Sequence, residues 1–322
     1  MQPKPEDYEY ELDRALSAMV GIRALIPADA FTAEILGTER LGHGALIRGD
    51  GIVLTIGYLI TEAETVWISL SSGATVPGHV LGYDQETGFG LVQALARLDV
   101  PALTLGNSSA AEVGMRVVVG GSGGRKRSVA ARIIAKQEFS GYWEYVLDEA
   151  IFTAPAHPFW GGTALIGPDG DLLGIGSLQI QQATADPRQK PARATQAADD
   201  ANMIVPIDLL KPIFEDLISI GRPNRPPRPW LGLYATEIGN SIAILGLASR
   251  GPAQKADLRA GDIVLAVAGT DVSDLAGLFR HVWSLGEAGV TVPMTINREG
   301  KTLQISIRST DRRRLLKGPV LH

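Results

Sequence analysis

The stretch Ala154-Pro155-Ala156-His157-Pro158-Phe159-Trp160-Gly161-Gly162-Thr163-Ala164-Leu165-Ile166 decides how this chain is read. Two prolines constrain the backbone before a glycine pair, and a short apolar run follows, so the segment predicts a tight turn feeding a strand. The turn Gly167-Pro168-Asp169-Gly170 and the apolar run Leu172-Leu173-Gly174-Ile175-Gly176 continue it as a hairpin. By itself the loop is also compatible with Phe159 and Trp160 as core aromatics of some other fold.

Outward from the loop, the chain has 322 residues, 45% of them hydrophobic, enough for a sizeable core and more than one domain. Thirty-five acidic against 30 basic residues leave a net charge of -5, which does not favour nucleic acid as a partner. The polar start Met1-Gln2-Pro3-Lys4-Pro5-Glu6-Asp7 does not resemble a secretory signal, and no apolar run is long enough to span a bilayer. The expected compartment is therefore the cytoplasm. Cysteine is absent, which excludes thiol catalysis and thiolate metal sites.

In the first half, apolar spacing over 6–19 predicts an amphipathic helix, followed by a strand over 20–26 and a loop over 27–41. Residues 42–47 and 52–55 around Gly49-Asp50-Gly51 predict a hairpin, and further strands are expected at 65–70 and 75–82. Many short apolar runs punctuated by glycine argue for an all-β barrel or sandwich.

Three segments together make a resemblance specific. Gly42 to Ile47 with Gly51-Ile52-Val53-Leu54-Thr55-Ile56-Gly57-Tyr58-Leu59-Ile60 resembles the Gly-Ser-Gly-Phe-Ile-Ile and Ile-Leu-Thr-Asn-x-His-Val-Val segments of HtrA (DegP-like) serine proteases. Gly82-Tyr83-Asp84-Gln85-Glu86-Thr87-Gly88-Phe89-Gly90-Leu91 is similar to that family's Asp-x-x-Thr-Asp-Leu-Ala-Leu, and the Trp160 loop to its Gly-Asp/Asn-Ser-Gly-Gly-Pro. The resemblance continues through 103–108 and 113–120 and spans most of 18–311. It implies a mainly β chain, a trypsin-like double β-barrel followed by a small α/β PDZ domain.

It also aligns the catalytic histidine, aspartate and serine with Tyr58, Gly88 and Trp160. A phenol is a poor base at neutral pH, glycine offers no carboxylate, and an indole cannot attack a carbonyl. Pro158 falls where the family has a second oxyanion donor, and proline has no N–H. The expectation is a catalytically degenerate, non-catalytic adaptor, scaffold or complex subunit, with no catalytic residues, no metal and no cofactor.

Residues 181–201 read as a long polar loop, and 209–220 as the helix that closes the first domain. The expected domains are 1–221, a Pro-rich linker 222–229, a PDZ domain over 230–311 and a basic tail over 312–322. Trp230-Leu231-Gly232-Leu233 matches the carboxylate-capturing loop of HtrA-type PDZ domains, and 251–264 resembles Ser-Pro-Ala-x-x-Ala-Gly-Leu-x-x-Gly-Asp-x-Ile. PDZ domains take extended C-terminal peptides by strand addition, so the implied partners are protein or peptide C-termini. Trp230, Leu231, Gly232 and Leu233 are the candidate peptide-binding residues, with Gly277 and His281 on one face of a helix over 274–285. A surface histidine is the preferred reading of His281, and a groove-lining residue the alternative. The resemblance further implies a homo-oligomer, a trimer built through the region of Tyr8 and Tyr10.

Two rival motifs stand in the sequence. Gly120-Gly121-Ser122-Gly123-Gly124 fits a nucleophile-elbow pattern, which would make Ser122 the centre of a residual hydrolase, but the elbow needs a helix directly after the strand and a charged turn and strand follow instead. His43, His79, His157, His281 and His322 show no spacing suited to a metal.

Overall fold

The computed structural model describes residues 1–181 and 200–318. The expected loop over 181–201 and the apolar end of the tail lie almost wholly outside the described residues. The chain divides into two compact units, one of Met1–Gln137, Glu149–Asn224 and Lys317–His322, the other of Glu138–Asp148 and Arg225–Leu316. The mainly β, trypsin-like plus PDZ architecture expected from the sequence is what the chain adopts.

In the first unit, β1 (Met19–Leu25), β2 (Glu39–Arg48), β3 (Ile52–Ile56), β4 (Thr65–Ser69), β5 (Thr75–Tyr83) and β6 (Phe89–Ala94) close a barrel. Closure comes from β1, which pairs with β2 on one side and β4 on the other, with Ile22 opposite both Gly42 and Ile68. β3 is buried along its whole length and reads as a continuous apolar run. The β2–β3 turn needs a left-handed residue at Gly51, where φ is +97°.

The second barrel comprises β7 (Arg116–Gly120), β8 (Ser128–Gly141), β9 (Tyr145–Ala154), β10 (Ala164–Ile166), β11 (Leu172–Gln181) and β12 (Asp200–Pro206). Val117, Val119, Ile133, Ile151, Leu165 and Ile204 fill it. Strands β8 and β9 run on as a hairpin, and the tip of that hairpin is the piece counted with the second unit.

The N-terminal helix is shorter than its spacing predicts. Only α1 (Leu12–Ser17) is helical, after a 3-10 turn at Pro5–Asp7 and an extended Tyr8. Tyr10 lies against Gly170, where an added Cβ would meet its ring at 2.8 Å, and this docking draws the backbone out of the helix. Leu12 and Leu16 are buried, and Leu16 sits on Gly120 of β7. The expected loop over 27–41 contains α2 (Ala33–Leu36) and the start of β2. The closing helix is also cut down, to α3 (Phe214–Ile220) behind a 3-10 turn at Ile207–Leu209. Pro212 accounts for the gap, since it lacks an N–H and disfavours helix at the residue before it.

The second unit holds β13 (Leu233–Ile238), β14 (Ser241–Leu247), α4 (Pro252–Lys255), β15 (Ile263–Val267), β16 (Thr270–Asp271), α5 (Leu275–Ser284), β17 (Thr291–Arg298) and β18 (Lys301–Arg308). The sheet order is β13-β14-β15-β17-β18, with β16 beside β15. Helix α5 starts at Asp274, whose carboxylate accepts the Gly277 N–H at 2.7 Å, and buries Leu275, Leu278, Phe279 and Val282 against the sheet. Arg298 holds Asp262, which is 1% exposed, through two bonds of 2.7 Å.

Candidate functional site

The 3-10 turn Gly57–Leu59 carries Tyr58, and a buried cation fixes it. Arg40, 4% exposed, donates to the Tyr58 carbonyl at 2.7 Å, the Thr61 carbonyl at 3.0 Å and the Thr32 hydroxyl at 2.7 Å. Glu62 accepts from the N–H and hydroxyl of that same Thr32. So held, the Tyr58 hydroxyl donates to the Ser177 carbonyl at 2.8 Å and takes a hydrogen bond from Trp160. Burial raises the phenol's pKa well beyond its ordinary value, so it stays protonated.

The structure thus brings Tyr58 and Trp160 together, while Gly88 is a turn residue. Its φ is +86°, its N–H donates to the Asp84 carbonyl, and its carbonyl accepts from Gly57 at 2.6 Å. Trp160 closes its own turn, since its carbonyl accepts from the Thr163 N–H and hydroxyl. Gly162, at φ +80°, admits no side chain, because a Cβ would meet the His43 carbonyl oxygen at 1.8 Å. Pro158 is exposed beside Phe159, whose ring lies 5.7 Å from the Arg127 guanidinium.

Two histidines far apart in sequence pair near this loop. His43 and His157 meet edge to face at 5.7 Å. The His157 Nδ1 accepts the Phe159 N–H, so its Nε2 carries the proton and donates to the Arg127 carbonyl at 2.8 Å. Asn202 brackets the His157 backbone, accepting its N–H and donating to its carbonyl. Burial lowers the pKa of both rings, and His43 falls to about 4. Both are neutral at pH 7. The Ser122 N–H donates to His43 Nδ1 at 3.1 Å, and among the described residues the Ser122 hydroxyl has no hydrogen-bond partner. A 3-10 turn, Gly124–Arg127, and then β8 follow Ser122, so the strand-to-helix elbow is not formed.

In the second unit the segment 230–233 and β13 pack against the 138–148 hairpin tip. Trp230 is tied to Thr310 by two backbone bonds of 3.1 Å, and Gly232, at φ +76°, turns the chain into β13. The N–H groups of Leu231, Gly232 and Leu233 converge on one carboxylate, that of Glu144 in the 138–148 hairpin tip, at 3.0, 2.6 and 3.1 Å. The Ala235 N–H donates to the Tyr142 carbonyl at 2.9 Å, as to a strand added beside β13. Val146 is buried in the same apolar cluster as Leu231, Leu233, Leu278 and Val282. From α5 the contact to the hairpin is Arg280, paired with Glu138 and Asp148. Gly277 lies in the capped first turn of α5, and His281 is half-buried, its carbonyl accepting from the Ser284 hydroxyl. Neither Glu144 nor Arg280 stood out in the sequence; an acidic residue between aromatics in the β8–β9 turn was the available sign.

The family description "Trypsin-like peptidase domain" matches residues 42–175, and "PDZ domain" matches 229–308. In sequence and in fold the chain is similar to HtrA- and DegP-like proteases. It is 24% identical over 283 residues to a probable periplasmic serine endoprotease, DegP-like, of Chlamydia muridarum, covering 84% of this chain and 54% of that protein. It is 24% identical over 294 residues to the serine protease Do-like HtrA of Bacillus subtilis, covering 83% and 63%. The chain therefore spans roughly half to two thirds of the length of these curated relatives. In fold it is similar to the HtrA-type protease AlgW with tripeptide, with a TM-score of 0.52 at 19% identity, over 96% of this chain and 97% of that one.

These names correct two expectations. The relatives are named serine endoprotease and serine protease, which contradicts the expected non-catalytic adaptor or scaffold. Relatives named periplasmic likewise overturn the cytoplasmic compartment. A lack of cysteine suits an oxidising compartment as well as a reducing one, since there is no thiol to oxidise. No helix among the described residues is long and apolar enough to cross a membrane, and none of their acidic or histidine side chains cluster as a metal site.

Proposed function

We propose that this HtrA-like chain works in proteolysis by capturing polypeptides through its PDZ groove, and that Tyr58, Gly88 and Trp160 do not form a Ser-His-Asp relay. One observation carries the first part: three N–H groups of Leu231, Gly232 and Leu233 already hold a carboxylate, with a strand-like segment beside β13. That is the chemistry needed for the terminus of a polypeptide. The second part is supported by the hydrogen bond between Trp160 and Tyr58, which joins two side chains neither of which supplies a nucleophile or a base near pH 7.

Two measurements test this. A C-terminal peptide array probed with the whole chain is expected to show selection that is lost when the peptides are amidated; flat binding would sink the capture reading. A fluorophosphonate probe is expected to leave no adduct within 154–166. An adduct at Ser122, together with turnover of an unfolded protein substrate, would replace this view of the first unit with a hydrolase of different layout.

A further inference from the structure

The PDZ groove of this chain is not empty. We propose that the 138–148 hairpin tip is a resident ligand of that groove, with Glu144 standing in for a peptide's terminal carboxylate, and that an incoming polypeptide terminus must displace it. The inference rests on the reading of this groove as a polypeptide site, and adds how access to it is controlled.

Three contacts reproduce what an external peptide would make. Glu144 fills the N–H nest of Leu231, Gly232 and Leu233, the Tyr142 carbonyl accepts from Ala235 of β13, and Val146 occupies the apolar cluster beneath. The aromatic rings of the tip support this pose, Trp143 stacked on Tyr145 at 5.5 Å and Tyr142 edge-on to Tyr234 at 5.9 Å.

The resident is nevertheless an imperfect ligand, which is why it can be displaced. Glu144 sits at φ +61°, a left-handed conformation that is strained for a non-glycine residue. Its carboxylate is buried among N–H groups, where desolvation offsets much of what the hydrogen bonds contribute. The ion pairs from Arg280 are solvent-exposed and add little. A true C-terminus delivers its carboxylate from a free chain end with no such turn. The hairpin's advantage is that it is tethered, and a tethered competitor acts at an effective concentration near the millimolar range. Apparent affinity for a free peptide is then reduced by the fraction of time the groove is open.

The probe is a fluorescein-labelled decapeptide ending in valine, matched to Val146, in free-acid and amide forms. It is titrated into the full chain carrying Glu144, Glu144→Gln or Glu144→Ala, each checked for folding by circular dichroism. Amide hydrogen exchange is followed at Leu231, Gly232 and Leu233. The expected result is at least a tenfold tighter fit of the acid form to Glu144→Ala than to the parent, a smaller gain for the neutral isostere Glu144→Gln, no gain for the amide form, and faster exchange at the three amides in Glu144→Ala. Equal binding of the acid form by all three proteins with unchanged exchange would overturn the resident-ligand inference and leave the groove reading intact. Faster exchange in the variants with no binding of either peptide would overturn both the gate and the peptide reading, making Glu144 a fixed clasp.

Discussion

Glu144 has a raised proton affinity, and the sign of its pH response follows. Burial pushes its carboxyl up to about 7, against the N–H groups of Leu231, Leu233 and Gly232 and the charge of Arg312, which pull it down. Released into water the group would return to its ordinary value near 4.5. Between those two pH values the docked hairpin holds a proton that the released one does not. Docking is therefore strongest on the acid side and weakens as pH rises through about 7, by roughly a factor of ten per pH unit inside that window. The cations on the neighbouring elements are Arg312 and Arg280, and arginine keeps its charge throughout. Amide exchange at Leu231, Gly232 and Leu233 is expected to quicken between pH 5 and pH 8 beyond its intrinsic rate, and Glu144→Gln should abolish the excess. An excess that persists in that variant would assign the effect to another group.

At the scale of elements, β15 and β17 are joined near their ends by a buried charge pair. Asp262, just before β15, accepts two bonds from Arg298 at the end of β17 and a third from the Arg259 N–H at 2.8 Å. Removing the cation leaves a carboxylate 1% exposed without its partner, which is the costly way to break such a pair. Arg298→Leu is expected to lower the thermal midpoint of the second unit by roughly 5 °C or more, measured by calorimetry. A shift below about 1 °C would mean that solvent reaches Asp262. In the first unit Arg40 plays the corresponding part through hydrogen bonds to carbonyls and Thr32, which hold the turn bearing Tyr58.

For the whole molecule, the chain passes from the second barrel's β8 into the second unit and back to β9 before the rest of that unit is reached in sequence. Binding at the groove and docking of the hairpin are then linked, and linkage is reciprocal. Saturating the full chain with the free-acid decapeptide should accelerate amide exchange across 141–146, and the amide form should not. Unchanged exchange at saturation would show that the peptide sits elsewhere.

Much of this architecture was legible in the residues. The continuous apolar run 52–56, the Gly49-Asp50-Gly51 turn and the 251–264 segment carry local chemistry that dictates strand, turn and PDZ loop wherever the chain sits. Their order was enough to name a double barrel and a PDZ domain. Helix ends were less legible, since Tyr10 docking on Gly170 and Pro212 before α3 overrode a helical spacing that was present in the sequence. The compartment and the broad role came from relatives, because neither is written in a side chain's local physics. That Tyr58 bonds Trp160, that His43 meets His157, and that Glu144 enters the nest at Leu231, Gly232 and Leu233 are contacts across 87 to 114 positions. Pattern and propensity act over a few residues; only the closed barrels and the sheet of the second unit bring distant groups to hydrogen-bonding distance.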